Sequence, residues 1–198
     1  MIVYLHGFRS SPRSYKATVL AAALARRGLA EAWHCPQLPV APAEAIAMVE
    51  AMTAHVAPSE VALIGSSLGG YYATWLAERH GYRAMLLNPA IVPVNDLERY
   101  LGEQPLWHGG GSVVVEPVHL DQLRELEVPC ISHPERYYLI AATGDEVLDY
   151  RSMLDRYRGV ATTLIEGSDH GISHFEPYVD RVLDFCLGPA PVPPAVAA

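Results

Sequence analysis

Residues 61–72 read Val-Ala-Leu-Ile-Gly-Ser-Ser-Leu-Gly-Gly-Tyr-Tyr. The apolar run 61–64 has the length and branching of a buried strand, and residues 71–79 carry a helical pattern. Between them Gly65, Ser67 and Gly69 spell G-x-S-x-G. A strand that turns sharply into a helix leaves its turn residue strained and outward-pointing, and small neighbours let the two backbones approach. Three fixed positions match by chance about 0.06 times in a chain of this length, so the motif draws its weight from the strand before it and the helix after it. Ser67 is the candidate nucleophile.

The chain has 198 residues, which suits one domain with a sizeable core. The expectation is a single domain over residues 1–188 and a proline- and alanine-rich disordered tail over 189–198. With a formal charge of −8 and no long basic run, the surface suits neither nucleic acid nor an anionic membrane. Cys35, Cys130 and Cys186 are widely spaced and odd in number, a pattern of reduced thiols and not of a disulfide framework or zinc site. The N-terminus lacks a cationic leader region, and no apolar run approaches the ~20 residues of a membrane helix. These features predict a cytoplasmic protein. No pattern sets an oligomeric state.

Outward from the elbow, strands and helices alternate. Strands are predicted at 2–5, 32–35, 61–64, 83–87, 136–142 and 160–165, with helices at 14–27, 43–55, 71–79, 148–158 and 175–187. Gly28 stands at the C-cap of the first helix. Such alternation predicts parallel β-α-β units with right-handed crossovers, hence an α/β fold. Residues 91–130 break the rhythm with Pro93, Pro105, Gly109 to Gly111, Pro117 and Pro129. An insertion of that length in a compact domain is commonly a lid or binding loop. Tyr100, Leu101 and Trp107 are its candidate pocket residues, with packing onto the domain as the alternative role.

An activated serine needs a base within reach and a partner that orients the base. After Ser67 the chain offers Asp145, directly past one predicted strand, and His170, past the next; catalytic groups of parallel sheets gather at such strand ends. Asp149 is the weaker acid because it falls toward the following helix, and Asp169 adjoins His170, where neighbouring side chains rarely face each other. His174 is the weaker base, at the start of the last helix. The loop after the first strand begins His6-Gly7-Phe8, which makes the Phe8 and Leu68 N–H groups the candidate oxyanion donors. Arg9, Arg13 and Lys16 follow closely, either as solvated charge or as a site for a phosphate or carboxylate of the substrate; Arg9, Arg13 and Trp107 are the candidate substrate-binding residues. The histidines make no HxxxH or carboxylate cluster, so no metal and no cofactor is expected.

With these residues quoted, the sequence resembles the YqiA/YcfP-type family of small bacterial α/β-hydrolase esterases over about residues 2–187. The matching stretches are YLHGF with SSP at 4–12, GSSLGGYYATWLAE at 65–78, NPA at 88–90, TGDEVLDY at 143–150, and IEG with the DHG turn at 165–171. The insertion, about 95–130, departs most from the family pattern. The resemblance implies a three-layer α/β-hydrolase fold in trimmed form, a mostly parallel sheet with helices on both faces and a cap insertion. It also implies a serine esterase or thioesterase acting on small acyl esters or acyl-CoA, with Ser67 as nucleophile, Asp145 as acid and His170 as base. The alternative of a different class is a non-catalytic binding protein of the same fold, taking a small acyl ligand or a protein partner.

Overall fold

The computed structural model describes residues 1–188; the tail at 189–198, expected to be disordered, lies outside the described residues. Six strands pair in the order β2-β1-β3-β4-β7-β8, all in parallel. They are β1 (Ile2–Leu5), β2 (Trp33–His34), β3 (Ala62–Ser66), β4 (Arg83–Leu87), β7 (Tyr137–Ala142) and β8 (Ala161–Ile165). Four of them, β1, β3, β4 and β7, read as nearly continuous apolar runs because helices cover both faces of the sheet.

Strand alternation sorts the core into two layers. Val3 and Leu5 point to the face covered by α2 (Pro42–Thr53) and α3 (Leu68–His80), packing with Val49, Tyr72 and Leu76. Ile2 and Tyr4 point to the other face, against Leu20 and Leu24 of α1 (Tyr15–Arg26) and Val182 and Leu183 of α7 (Val179–Leu187). Neighbouring strand residues thus hold opposite helix layers, as a period of two demands. The chain winds from β1 outward to β2 and then returns past β1 to β3, so the winding direction reverses between β1 and β3. Crevices at such a reversal, at the carboxyl ends of the strands, are where parallel sheets bind ligands.

The register brings the functional loops to one edge. Leu5 pairs with Gly65, Ser66 with Leu87, Leu87 with Ile140 and Ala142 with Ile165, so the turns that follow β1, β3, β4, β7 and β8 open side by side.

Two departures from the sequence reading have physical causes. Residues 91–130 are more structured than short apolar patches suggest. They hold α4 (Pro93–Leu97), an antiparallel hairpin of β5 (Gly102–Pro105) and β6 (Ser112–Val115), and α5 (Pro117–Glu125). Both helices open on proline, which fits a first helical turn but looks like a breaker in sequence. The last helix begins at Val179 and not at residue 175, because Phe175 is buried at the end of the preceding loop and a 3-10 turn, Glu176–Tyr178, intervenes. A further helix, α6 (Tyr150–Arg156), lies between β7 and β8.

Candidate active site

Ser67 lies at the turn between β3 and α3 with φ 54° and ψ −121°. A non-glycine residue in such a region costs on the order of 1–3 kcal/mol and persists only where its surroundings hold it. Here the Ser67 N–H donates to the Leu87 carbonyl at 3.1 Å, and its own carbonyl accepts from Gly70 N–H at 2.9 Å and Ala90 N–H at 3.0 Å. The glycines of the motif answer to space. A Cβ on Gly65 would stand 2.4 Å from the Gly69 carbonyl oxygen, and one on Gly69 would stand 1.9 Å from the Leu5 carbonyl oxygen. The elbow closes only because the helix can press its first turn onto β1 and β3.

The side chains of Asp145 and His170 meet. The His170 Nδ1–H donates to Asp145 Oδ2 at 2.8 Å, and the Asp145 side chain is fully buried. The other carboxylate oxygen, Oδ1, accepts from the Val147 and Leu148 N–H groups at 2.9 and 2.8 Å. Three donors therefore fix the carboxylate and stabilise its charge where water does not reach. The rival residues have other duties. Asp149 caps α6 by accepting from Arg151 N–H at 3.0 Å, and Asp169 accepts from the Ser173 N–H and hydroxyl within its own turn.

Two groups that hold His170 carry little signal in the sequence. The His170 N–H donates to Glu146 Oε2 at 3.0 Å. Asn88, fully buried with φ 42°, donates from Nδ2 to the carbonyls of Asp169 and His170 at 3.3 and 3.0 Å and accepts from Ala142 N–H at 2.8 Å. In sequence Asn88 is only the start of an Asn-Pro turn after a strand.

Ser67 and His170 line one cavity of about 370 Å³, together with Gly7, Phe8 and Leu68. The Ser67 hydroxyl and the His170 ring share this space without hydrogen bonding each other; such contacts commonly tighten only when substrate is bound. The loop carrying Phe8 is anchored by His6. Its Nδ1–H donates to the Gly7 carbonyl at 3.0 Å and its Nε2 accepts from Leu38 N–H at 3.0 Å, and burial pushes the ring below its ordinary pKa. His6 is thus a neutral structural histidine.

The remaining sequence candidates separate. Arg9 and Trp107 line the cavity and grip each other: the Arg9 guanidinium lies 4.1 Å from the centre of the indole, Trp107 N–H donates to the Arg9 carbonyl at 2.9 Å, and Arg9 Nε donates to the Pro105 carbonyl. Tyr100 also lines it, its ring 5.6 Å from that of Phe8. Leu101 is exposed instead. Arg13 does not line the cavity, because its guanidinium packs on Gly109 at the tip of the β5-β6 hairpin. Lys16 does, from a nearly buried position. A signal for it existed: Lys16 stands four residues before Leu20 and eight before Leu24, on the face of α1 that meets the sheet.

Among the described residues no group of three or more His, Cys, Asp or Glu side chains is placed to hold a metal ion, and no helix is long and apolar enough to cross a membrane.

A doubly covered parallel sheet with a strained serine after β3, and an Asp-His pair after β7 and β8, is the architecture of an α/β-hydrolase. Solved structures agree on the fold. Est1E from Butyrivibrio proteoclasticus superposes with a TM-score of 0.67 at 14% identity, over 94% of this chain and 86% of that one. The mouse alpha/beta hydrolase domain-containing protein 10 does so with a TM-score of 0.65 at 16% identity, over 92% and 89%. Residues 1–187 match the uncharacterised protein family UPF0227, and the chain belongs to that family.

Proposed function

We propose that this protein is a serine hydrolase of small acyl esters or thioesters. The observation that carries this reading is the buried Asp145 carboxylate bonded at 2.8 Å to His170 Nδ1, at the cavity that also exposes the strained Ser67. Asp145 holds the proton of His170 on Nδ1, which leaves Nε2 free to take a proton. Ser67 Oγ attacks the acyl carbon as Nε2 accepts its proton, and the resulting imidazolium is stabilised by Asp145. The Phe8 and Leu68 N–H groups stabilise the oxyanion, a contribution of about 3–4 kcal/mol for a single donor in comparable sites. His170 then protonates the leaving alcohol or thiol. Water, activated by the same imidazole, releases the acid from Ser67.

The folded insertion acts as a cap, with Tyr100, Leu97 and Trp107 bounding the space for substrate. Est1E and the mouse hydrolase-domain protein, similar in fold, support hydrolysis as the class of reaction. A fluorophosphonate probe tests the reading: it labels the protein at Ser67, and the Ser67→Ala variant takes no label and loses esterase activity while keeping its circular dichroism. Retained turnover in Ser67→Ala removes the assignment.

A further inference from the structure

Basic side chains line the cavity at which Ser67 and His170 meet. Arg9, Lys16 and Arg99 reach it, and among the described side chains no Asp or Glu does. This reverses the balance of the chain, which has 22 acidic residues against 14 basic ones. Asp145 does not line the cavity: its oxygens accept from the Val147 and Leu148 N–H groups and the His170 ring, and its charge reaches Lys16 only at longer range.

Lys16 is the informative residue. It is 8% exposed and shares its helix face with Ala17, Leu20 and Leu24. An ammonium has three N–H donors. One of these meets the Gly171 carbonyl at 2.7 Å, and among the described residues Lys16 forms no ion pair, Asp169 and Asp145 acting on it only at longer range. Burying a cation without a paired anion costs several kcal/mol. A position that only needs filling is served at lower cost by Met or Leu, of similar length and without charge. The burial also pushes the ammonium down to about 8, against the opposing pull of Asp169 and Asp145, so it remains mostly charged at neutral pH.

We propose that the substrate carries an anionic group, a carboxylate or a phosphate, and that Lys16 binds it inside the cavity. Arg9, held on Trp107 and Pro105, adds attraction from the cap side. The proposal rests on the hydrolase reading for its chemistry and on the cavity alone for binding. Within the basic cluster Lys16 is the buried member, and Arg13 packs on the hairpin tip instead.

Three matched esters test the kinetics: neutral phenyl butanoate, monophenyl succinate with the anion on the acyl side, and 4-carboxyphenyl butanoate with the anion on the leaving side. Each kcat/KM is divided by the ester's own hydroxide-catalysed rate. Wild type is expected to favour at least one anionic ester over the neutral one by about tenfold or more, as a charge-assisted hydrogen bond provides. Lys16→Met is expected to erase that ratio and Lys16→Arg to keep part of it. A purely structural role, in which Lys16 only steadies the Gly171 loop, lowers all three rates together and leaves the ratio unchanged, which overturns the proposal. So does a wild-type enzyme that treats the neutral ester as well as both anionic ones.

Binding is read separately by calorimetric titration with phenyl phosphate and benzoate. Both are expected to bind wild type, more weakly at higher salt, and to fail with Lys16→Met. No binding of either anion to wild type overturns the proposal whatever the ester rates. Anion binding without esterolysis or fluorophosphonate labelling supports the anion site and removes the hydrolase reading, so the two failures are distinguishable.

Discussion

The side-chain amide of Asn88 donates to the main-chain carbonyl of His170 at 3.0 Å. The same amide accepts from Ala142 N–H at 2.8 Å, so one buried side chain ties the His170 loop to the end of the strand that precedes Asp145. Its φ of 42° suits asparagine, which tolerates the left-handed region better than other side-chain-bearing residues. Asn88→Ala leaves the buried Ala142 N–H without its acceptor, and urea denaturation is expected to show a loss of about 1–3 kcal/mol. On the proposed mechanism, His170 freed from this tether loses its placement as base, and kcat for ester hydrolysis is expected to fall about 100-fold, the scale of an ångström-sized misplacement.

Asp145→Asn is expected to be damaging for a reason set by the backbone. The Val147 and Leu148 N–H groups both point at Oδ1, so an asparagine must offer its carbonyl oxygen to them and turn its NH2 toward His170. That forces Nδ1 to accept and places the ring proton on Nε2, the wrong tautomer to deprotonate Ser67. We expect kcat to fall about 10⁴-fold with the fold intact, measured by ester hydrolysis alongside near-ultraviolet circular dichroism. A loss of less than tenfold contradicts the role given to Asp145.

Glycine substitutions separate close packing from backbone freedom. An added Cβ at Gly69 meets the Leu5 main-chain oxygen at 1.9 Å, whereas one at Gly110, with φ +72°, meets nothing within 4 Å. Gly69→Ala is expected to cost more than about 4 kcal/mol or to prevent folding. Gly110→Ala, strained only by its φ, is expected to cost about 1 kcal/mol. Thermal denaturation of the pair reads the difference directly, and equal effects refute the account of the elbow.

Lys16 links stability to pH. Its ammonium is pushed down to about 8 from an ordinary value of 10.5. Between these values the unfolded chain holds a proton that the folded chain has released, so this group's contribution to stability rises as pH increases. Below pH 8 both states are protonated and the cost of the buried charge is fully present. Relative to Lys16→Met, wild type is therefore expected to gain stability from pH 8 to pH 10.5, by on the order of 3 kcal/mol. A pH series of urea midpoints for both proteins checks the sign.

The sequence carried the fold through patterns that physics leaves local. The apolar run before Gly65, the helical spacing after Leu68 and the turns ending at Asp145 and His170 are each set within about ten residues, and each stands where its pattern points. What stayed hidden depends on contacts between distant segments. Asn88 is an unremarkable turn residue until β7 and the His170 loop close around it, and Arg13 is indistinguishable from Arg9 in sequence until the hairpin tip claims its guanidinium. The helices inside the insertion are not legible because prolines that open α4 and α5 resemble those that interrupt a chain. Lys16 was legible in principle, since a lysine at a core-facing helical position breaks the local pattern, and such breaks mark sites where charge has a use.

The grip between Arg9 and Trp107 gives the cap a mechanical consequence. Arg9 directly follows Phe8, the proposed oxyanion donor, and its carbonyl holds Trp107 N–H. A hairpin that swings outward must either break this bond and lift the indole off the guanidinium, or drag the Phe8 loop with it. In the second case the entrance would widen only as the N–H groups of Phe8 and Leu68, the proposed oxyanion donors, move apart.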